Sequence, residues 1–165
     1  AMEAKGISVK YDDRDTQRPG WKFAEYELKG VPVRIAIGGR DIENGTVEVA
    51  RRDTLEKETL QQADIENKIE HLLQQIQDNL FTKARSMREQ KTYNADTYEE
   101  FKRILDDTPG FVMAHWDGTA ETEQRIKEET KATIRCIPLN NRKEEGKCIL
   151  TGEEVPQRVV IAKSY

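Results

Sequence analysis

The sequence predicts an α/β domain at the amino terminus and a small α+β domain at the carboxyl terminus, joined by a long helix. Strands alternate with a helix over residues 1–63, apolar residues recur at helical spacing over residues 64–92, and strands and helices mix again over residues 93–165. A chain of 165 residues has room for one compact domain or two small ones. These patterns favour two small domains.

The composition is typical of a folded intracellular protein with a heavily charged surface. Hydrophobic residues make up 36% and charged residues 35% of the chain, and the net charge is −4. Nonspecific nucleic-acid binders carry an excess of Lys and Arg, so this charge argues weakly against that class, although a reader of a few bases needs no such excess. No apolar run approaches the ~20 residues that span a bilayer and no signal peptide opens the chain, so we expect a cytoplasmic protein without a membrane partner.

The first domain opens with a predicted strand and helix. Residues 7–11 alternate as a strand does, and a helix begins near Trp21, after Pro19. In the strand that follows, alternate residues are apolar and share one face, namely Val31, Val33, Ile35 and Ile37. Arg34 therefore points the opposite way, toward solvent or a ligand.

The chain is then predicted to turn back and enter the long helix. Asn44 and Gly45 both tolerate a positive φ, which predicts a tight hairpin that pairs the preceding strand with Thr46–Arg51. From Asp64 the apolar residues keep helical spacing over about six turns. They are Ile65, Ile69, Leu72, Leu73, Ile76, Leu80, Phe81, Ala84 and Met87.

The second domain is predicted to begin with a capped helix. Thr97 and Glu100 form a capping box, and Pro109 followed by Gly110 ends the helix. Further elements are a strand at 111–116, a short helix at 121–130, strands at 132–137, 148–150 and 158–162, and a polar loop at 140–147.

No catalytic constellation is visible. The sequence shows no nucleophile, base and orienting group as a set, and no Gly-rich phosphate loop. His115 ends an apolar strand, which favours a hydrogen-bonded packing residue over a ligand or a base. Cys136 and Cys148 are too few for a disulfide framework, and we expect both to stay reduced. We predict that this chain alone catalyses no reaction.

One segment carries the most specific pattern. It runs Pro-Gly-x-Lys-Phe at 19–23, Glu-Leu-Lys-Gly-Val-Pro at 27–32, and then Arg, Ile-Gly and Arg-Asp at 34–41. Together with residues 111–116, 126–130 and 134–138 and the terminal Tyr165, these motifs resemble the prolyl-tRNA synthetases of class II, of the archaeal and eukaryotic-like type. The resemblance spans almost the whole chain.

This resemblance implies an α/β anticodon-binding domain, truncated at its amino terminus, and a small α+β carboxyl-terminal domain related to the family's zinc-binding domain. A complete first domain would open with a further strand and helix, and their absence predicts an unpaired sheet edge and association into dimers. The implied partners are the anticodon of tRNA(Pro) and the catalytic domain of a homodimeric enzyme. ATP and Mg²⁺ would belong to that missing catalytic domain, and Tyr165 would pack toward it.

The resemblance places the family's anticodon readers at Glu27, Arg34 and Arg40. Arg40 stands where Lys is also found in the family. Proline anticodons end in two guanines, and guanine offers two donors that match a carboxylate and two acceptors that match Arg. Without the resemblance, each of these side chains would be interpreted as a solvated surface charge.

Many members of the family hold a structural zinc ion with four cysteines. The matching positions here are Asp117, Thr122, Cys148 and Thr151. Zinc prefers thiolate or imidazole and Thr is a poor ligand, so we expect no zinc, with hydrogen bonds in its place. A weak residual site formed by Asp117, Cys148 and His115 is the alternative left open.

Two rival interpretations stay open. A free-standing interaction or regulatory module would keep the same fold without tRNA binding. Another synthetase of class II would share the first domain, but Cys136-Ile137-Pro138 and the final Tyr165 favour the proline enzyme.

Overall fold

The fold consists of two compact units, Ala1–Lys83 and Ala84–Tyr165. The computed structural model describes residues 1–108, 110–141 and 143–163. The predicted helix stop at Pro109 and the terminal Tyr165 lie outside the described residues. The division between the units falls inside a long helix, which the sequence predicted over residues 64–92.

The first unit contains a three-stranded antiparallel sheet. Its strands are β1 Val33–Ala36, β2 Thr46–Arg51 and β3 Lys57–Gln61, in the order β1-β2-β3. A short 3₁₀ turn at Met2–Lys5 precedes helices α1 Pro19–Leu28, α2 Gly39–Asn44 and α3 Ile65–Gln90. Helix α1 begins two residues before the predicted start, because a Pro in the first turn loses no hydrogen bond and already has a helical φ.

The core of the first unit lies between one face of this sheet and α3. Val47 and Val49 are 2% and 1% exposed, and they pack with Ile69, Leu72 and Ile76 of the helix. The apolar residues of α3 from Ile65 to Ile76 thus form a packed stripe, as predicted, whereas Leu80, Phe81 and Met87 further along the predicted stripe are 47%, 61% and 49% exposed. Truncating a buried Ile such as Ile69 to Ala typically costs about 2–5 kcal/mol, so packing decides which helix face turns inward.

The predicted hairpin at Asn44 and Gly45 is wrong. β1 and β2 do pair antiparallel, but the six-residue helix α2 separates them. Gly45 has φ 63° and caps α2, with its N–H donating to the carbonyl oxygens of Asp41 and Ile42. A glycine with positive φ ends a helix as readily as it turns a hairpin. The short connection lies instead between β2 and β3, where Leu55 has φ 62°.

The predicted strand at residues 7–11 is also wrong. Ile7 packs against the core, but Val9 and Tyr11 are 46% and 79% exposed, and the segment pairs with no described strand. An alternating sequence becomes a strand only when a neighbour supplies its hydrogen bonds.

The second unit contains a four-stranded sheet in the order β4-β5-β9-β6. The strands are β4 Thr92–Asn94, β5 Phe111–His115, β6 Ala132–Cys136 and β9 Arg158–Lys163. β4 pairs parallel to β5, and the other pairs are antiparallel. Helices α4 Tyr98–Asp107 and α5 Ala120–Thr130 and the small ribbon of β7 Gly146–Lys147 with β8 Glu154–Val155 complete it.

The core of the second unit joins both helices to the sheet. Phe101 of α4 and Ile126 of α5 are fully buried against Val112 and Ile161. The predicted cap is present, since Thr97 Oγ1 accepts a hydrogen bond from the backbone N–H of Glu100 at 3.2 Å.

The strand predicted at residues 148–150 is wrong. These residues enter a turn in which the N–H of Gly152 donates to the carbonyl of Cys148 at 2.9 Å, and Gly152 has φ 76°. Their apolar character reflects burial of the turn, because Cys148 and Ile149 are 2% and 8% exposed.

Candidate functional site

Arg34 is held by an aromatic ring and a carboxylate. Its side chain is 17% exposed. The guanidinium carbon lies 3.4 Å from the centroid of the Phe23 ring, and Nη2 lies 3.4 Å from Oε1 of Glu48. A partly buried cation–π contact contributes about 1–2 kcal/mol, whereas a 3.4 Å hydrogen bond is long and weak. The ring of Phe23 is therefore the main support of the guanidinium.

The strand register explains why these groups meet. Arg34 lies opposite Ala50, and Glu48 lies opposite Ala36, so the two charged residues are diagonal neighbours on one sheet face. This face is opposite to the one that packs on α3. Lys57 of β3 joins it, with Nζ 3.6 Å from Oε1 of Glu48. We call Arg34, Glu48 and Lys57 the charged face.

The sequence placed Arg34 on this face but missed its neighbours. Glu48 alternates with the apolar residues Val47 and Val49, and this parity could have assigned it to the same face. The contact with Phe23 has no comparable local signal, because it depends on how α1 lies on the sheet.

The Nε of Arg34 has an unusual environment. It is buried and has no hydrogen-bond partner among the described residues. A buried unsatisfied donor costs about 1–3 kcal/mol and calls for an explanation. Because Nε is covered, it is not available to a ligand.

Glu27 lies in the last turn of α1 and is exposed. It follows Phe23 by four residues, so both side chains project from the same side of the helix, one turn apart. Its backbone carbonyl accepts a hydrogen bond from Nε of Arg52 at 2.9 Å. Its carboxylate forms no hydrogen bond or ion pair with the described part of the chain, so it is free to accept hydrogen bonds from a ligand.

Arg40 is exposed near the start of α2. Its backbone carbonyl accepts from Nδ2 of Asn44 at 2.9 Å, while its guanidinium has no partner among the described residues. The structure therefore ties Arg34 to the helix that carries Glu27, and it shows no side-chain contact from Arg40 to either of them.

An ion-pair cluster fixes the segment before α1. Arg14 donates to both carboxylate oxygens of Asp12, at 2.9 and 2.6 Å, and to Glu25 of α1 at 2.7 Å. The hydrogen bond from Arg14 outweighs the opposing effect of burial and holds the pKa of Asp12 well below its usual range. This cluster positions the helix that carries Phe23 and Glu27.

The positions matched to the family's zinc ligands form a hydrogen-bond cluster. Oδ2 of Asp117 accepts from the hydroxyls of Thr122 at 2.7 Å and Thr151 at 3.1 Å. Hydroxyl groups do not fit zinc, which takes thiolate, imidazole or carboxylate ligands. No group of three or more His, Cys, Asp or Glu residues in the described ranges is arranged to hold a metal ion, and Asp117, Cys148 and His115 form no such group.

His115 is a packing residue, as predicted. It is 3% exposed, and its Nε2 lies 2.9 Å from the carbonyl oxygen of Glu144. Gly146 lies against the imidazole so closely that an added Cβ would come within 2.3 Å of Cε1. Together with the ion pair of Glu144 to Arg158, at 3.0 Å, these contacts tie the predicted polar loop to the sheet.

Two family models match the chain. The anticodon binding domain matches residues 1–72, and the carboxyl-terminal domain of prolyl-tRNA synthetase matches residues 98–165. Similar curated proteins include the proline–tRNA ligases of Porphyromonas gingivalis and Cytophaga hutchinsonii, each 61% identical over 165 residues and 100% of this chain. The ligase of Flavobacterium johnsoniae is 57% identical over 159 residues and 96% of this chain. The chain covers 33%, 34% and 32% of these relatives, about a third of their length.

The fold, the site and these matches define an anticodon-binding domain followed by a synthetase carboxyl-terminal domain. The chain corresponds over its whole length to the anticodon-binding and carboxyl-terminal region of prolyl-tRNA synthetases. The relatives reported above are bacterial and give no support to the predicted archaeal and eukaryotic-like type. In the described part of the chain, no helix is both long and apolar enough to cross a lipid bilayer.

Proposed function

We propose that this region binds the anticodon of tRNA(Pro), and that Glu27, Arg34 and Arg40 read its two guanines. The observation that carries this proposal is the guanidinium of Arg34, stacked 3.4 Å from the Phe23 ring in a domain that matches the anticodon-binding family. The unpaired carboxylate of Glu27 one helical turn beyond Phe23 adds an acceptor on the same side of α1.

The chemistry of guanine suits these groups. The outer nitrogens of Arg34 donate to O6 and N7, and Phe23 limits rotation of the guanidinium plane, so less conformational freedom is lost on binding. A bidentate contact of this kind contributes about 1–3 kcal/mol to base discrimination. Glu27 accepts from N1–H and the N2 amine, a pattern that adenine and the pyrimidines do not present. Arg40 adds a further cation for the second guanine or its phosphate.

We further propose that the whole protein is a cytoplasmic proline–tRNA ligase. It would activate proline with ATP and Mg²⁺ in a separate catalytic domain and transfer it to tRNA(Pro), as a homodimer. This region would bind the anticodon and brace that catalytic domain. The names of the relatives support the assignment. The region by itself carries no catalytic activity.

Binding of the chain to a fluorescent anticodon stem-loop of tRNA(Pro) tests the proposal. We expect Arg34→Ala to weaken binding about tenfold or more and to reduce discrimination against stem-loops in which either guanine is replaced. Arg103→Ala is the matched control, because Arg103 is 69% exposed in the second unit.

Equal discrimination by the Arg34→Ala variant and the unmodified chain would contradict the assignment of Arg34. Absence of any preference for the proline anticodon in the unmodified chain would favour the free-standing interaction module.

A further inference from the structure

Asp117 joins two segments of the second unit that are far apart in sequence. Its Oδ1 accepts from the backbone N–H and the hydroxyl of Thr119, at 3.0 and 2.9 Å. Its Oδ2 accepts from Thr122 at 2.7 Å and Thr151 at 3.1 Å. Thr119 and Thr122 lie at the start of α5, whereas Thr151 lies 34 residues after Asp117, in the turn at 148–152. The carboxylate therefore bridges the helix start and the turn.

The bridge is buried on one side only, because Thr151 and Thr119 are exposed. Thr122 is 4% exposed and Cys148 is 2% exposed. The turn is also attached to the end of β5 by a hydrogen bond from the N–H of Ile149 to the carbonyl of His115 at 3.1 Å. The side-chain cluster thus reinforces a junction that the backbone already defines.

We propose that the Asp117 carboxylate takes the structural place of a metal ion, so that this domain folds and stays folded without zinc. Both hydroxyls bond the same oxygen, so they lie within about 6 Å of one another, as groups around one central atom do. Three of the four matched positions are thus connected through the carboxylate, and the fourth, Cys148, begins the same turn. Two of the four, Thr122 and Thr151, are hydroxyls that zinc does not favour.

The electrostatics agree with this role. Partial burial alone would raise the pKa of Asp117, but hydrogen bonds from Thr119, Thr122 and Thr151 outweigh it and hold the pKa below its ordinary value. The carboxylate is therefore ionised at neutral pH and acts only as an acceptor, which is the state the four donors require. Its charge also lies near the positive end of the α5 dipole.

The first experiment measures metal content and thermal unfolding of the full 165-residue chain. We expect no stoichiometric zinc by elemental analysis, and no change in melting temperature with EDTA or with added zinc. One tightly bound zinc per chain, with loss of structure on chelation, would overturn the proposal.

The second experiment is a mutant cycle read by urea denaturation. We expect Thr122→Val to raise the unfolding equilibrium constant about tenfold, because it removes a buried donor to a charged group, and Thr151→Val to raise it less, because water can replace a donor at this exposed position. Thr151→Ser keeps the hydroxyl and should restore stability. In an Asp117→Asn background, whose side chain keeps the shape, the two Val substitutions should have little further effect. If their effects instead add fully to that of Asp117→Asn, the carboxylate is not the common partner.

The third experiment reintroduces thiols. The triple variant D117C/T122C/T151C, with the native Cys148, should bind one zinc ion and melt at a higher temperature with zinc than with EDTA. Adding Cys148→Ser should weaken that binding strongly. Failure of the triple variant to bind zinc would show that the four positions do not surround one point and would contradict the proposal.

Discussion

The guanidinium of Arg34 lies 3.4 Å from the centre of the Phe23 ring, and this pair joins strand β1 to helix α1. Without a packing partner on its face of the sheet, the side chain of Arg34 would sample many rotamers. With the Phe23 ring against it, one face of the guanidinium plane is covered, and Nη2 lies 3.4 Å from Oε1 of Glu48. The most specific motif of the sequence, at residues 19–41, thus contains both partners of the contact.

Replacing Phe23 with Leu tests this support. The side chain stays apolar, but the cation–π contact is lost, so we expect binding of the anticodon stem-loop to weaken about three- to tenfold while the fold is kept. Tyr26→Leu is the control, because Tyr26 lies on the same helix and contacts Lys29 instead. Unchanged binding by Phe23→Leu, measured by fluorescence anisotropy, would show that Arg34 is held without the ring.

Gly146→Ala should destabilise the second unit. The new Cβ would approach the buried imidazole of His115 to 2.3 Å, so the loop or the ring must move, at a cost of about 1–3 kcal/mol. Gly20→Ala is the control, because a Cβ there meets nothing within 4 Å. Urea denaturation followed by circular dichroism measures both. Equal stability of the two variants would mean that the loop or the imidazole moves without a measurable loss in the free energy of unfolding.

Arg158→Met should destabilise the second unit. Arg158 is 11% exposed in its side chain and donates to the carboxylates of Asp96 and Glu144 and to the backbone carbonyls of Ala95 and Met113. Removing the cation leaves the carbonyl of the buried Ala95 without this donor, while the exposed carboxylates of Asp96 and Glu144 stay hydrated, so we expect a loss of about 1–3 kcal/mol in the free energy of unfolding.

The control for Arg158→Met is Arg125→Met. Arg125 is 64% exposed and pairs with Glu129 on the surface of α5, where such a pair contributes about 0.3–0.5 kcal/mol. Comparable losses for the two variants in chemical denaturation would contradict a structural role of the buried arginine.

Asp53 should make the first unit acid-sensitive. The Arg51 guanidinium, at 2.7 Å, and then Asn79 of α3 hold the pKa of Asp53 well below its usual range, against the opposing effect of burial. Because the folded pKa is below the unfolded one, the contribution of Asp53 to stability is complete above about pH 4 to 5 and is lost as pH falls further.

Denaturation of the Asp53→Asn variant at pH 7 and pH 3.5 measures this contribution. The variant should be less stable than the unmodified chain at pH 7, and the difference should shrink at pH 3.5. Asp15→Asn, at an exposed position, should show no such difference. If the difference in the free energy of unfolding between Asp53→Asn and the unmodified chain is the same at both pH values, ionisation of Asp53 is not its cause.

The three-stranded sheet should favour self-association. β1 and β3 are its outer strands, and neither pairs with a second strand among the described residues. An open edge recruits another strand, so we expect the apparent mass in light scattering to rise with protein concentration. Ile37→Lys, which places a charge just beyond β1 where Ile37 is 58% exposed, should reduce the effect. A monomer at all concentrations would show that the edges are blocked.

The sequence by itself determined the features that depend on near neighbours along the chain. The packed stripe at Ile65–Ile76 of α3 and the orientation of Arg34 away from the core follow from periods of 3.6 and 2 residues, and the Thr97 cap follows from the spacing of Thr97 and Glu100. The family motif at residues 19–41 and the absence of thiolates at three of the four zinc positions were also visible there, and they indicated both the kind of protein and the candidate site.

Only the tertiary structure decided how distant residues meet. Gly45 caps helix α2 and does not turn a hairpin, and residues 7–11 pair with no described strand. In both cases the local pattern does not specify which element it will contact. The placement of Phe23 on Arg34, and of Thr151 on Asp117, joins segments 11 and 34 residues apart. Such contacts form when the burial of apolar surface brings whole helices and strands together. Which elements meet depends on the packing of the complete chain and not on the local sequence.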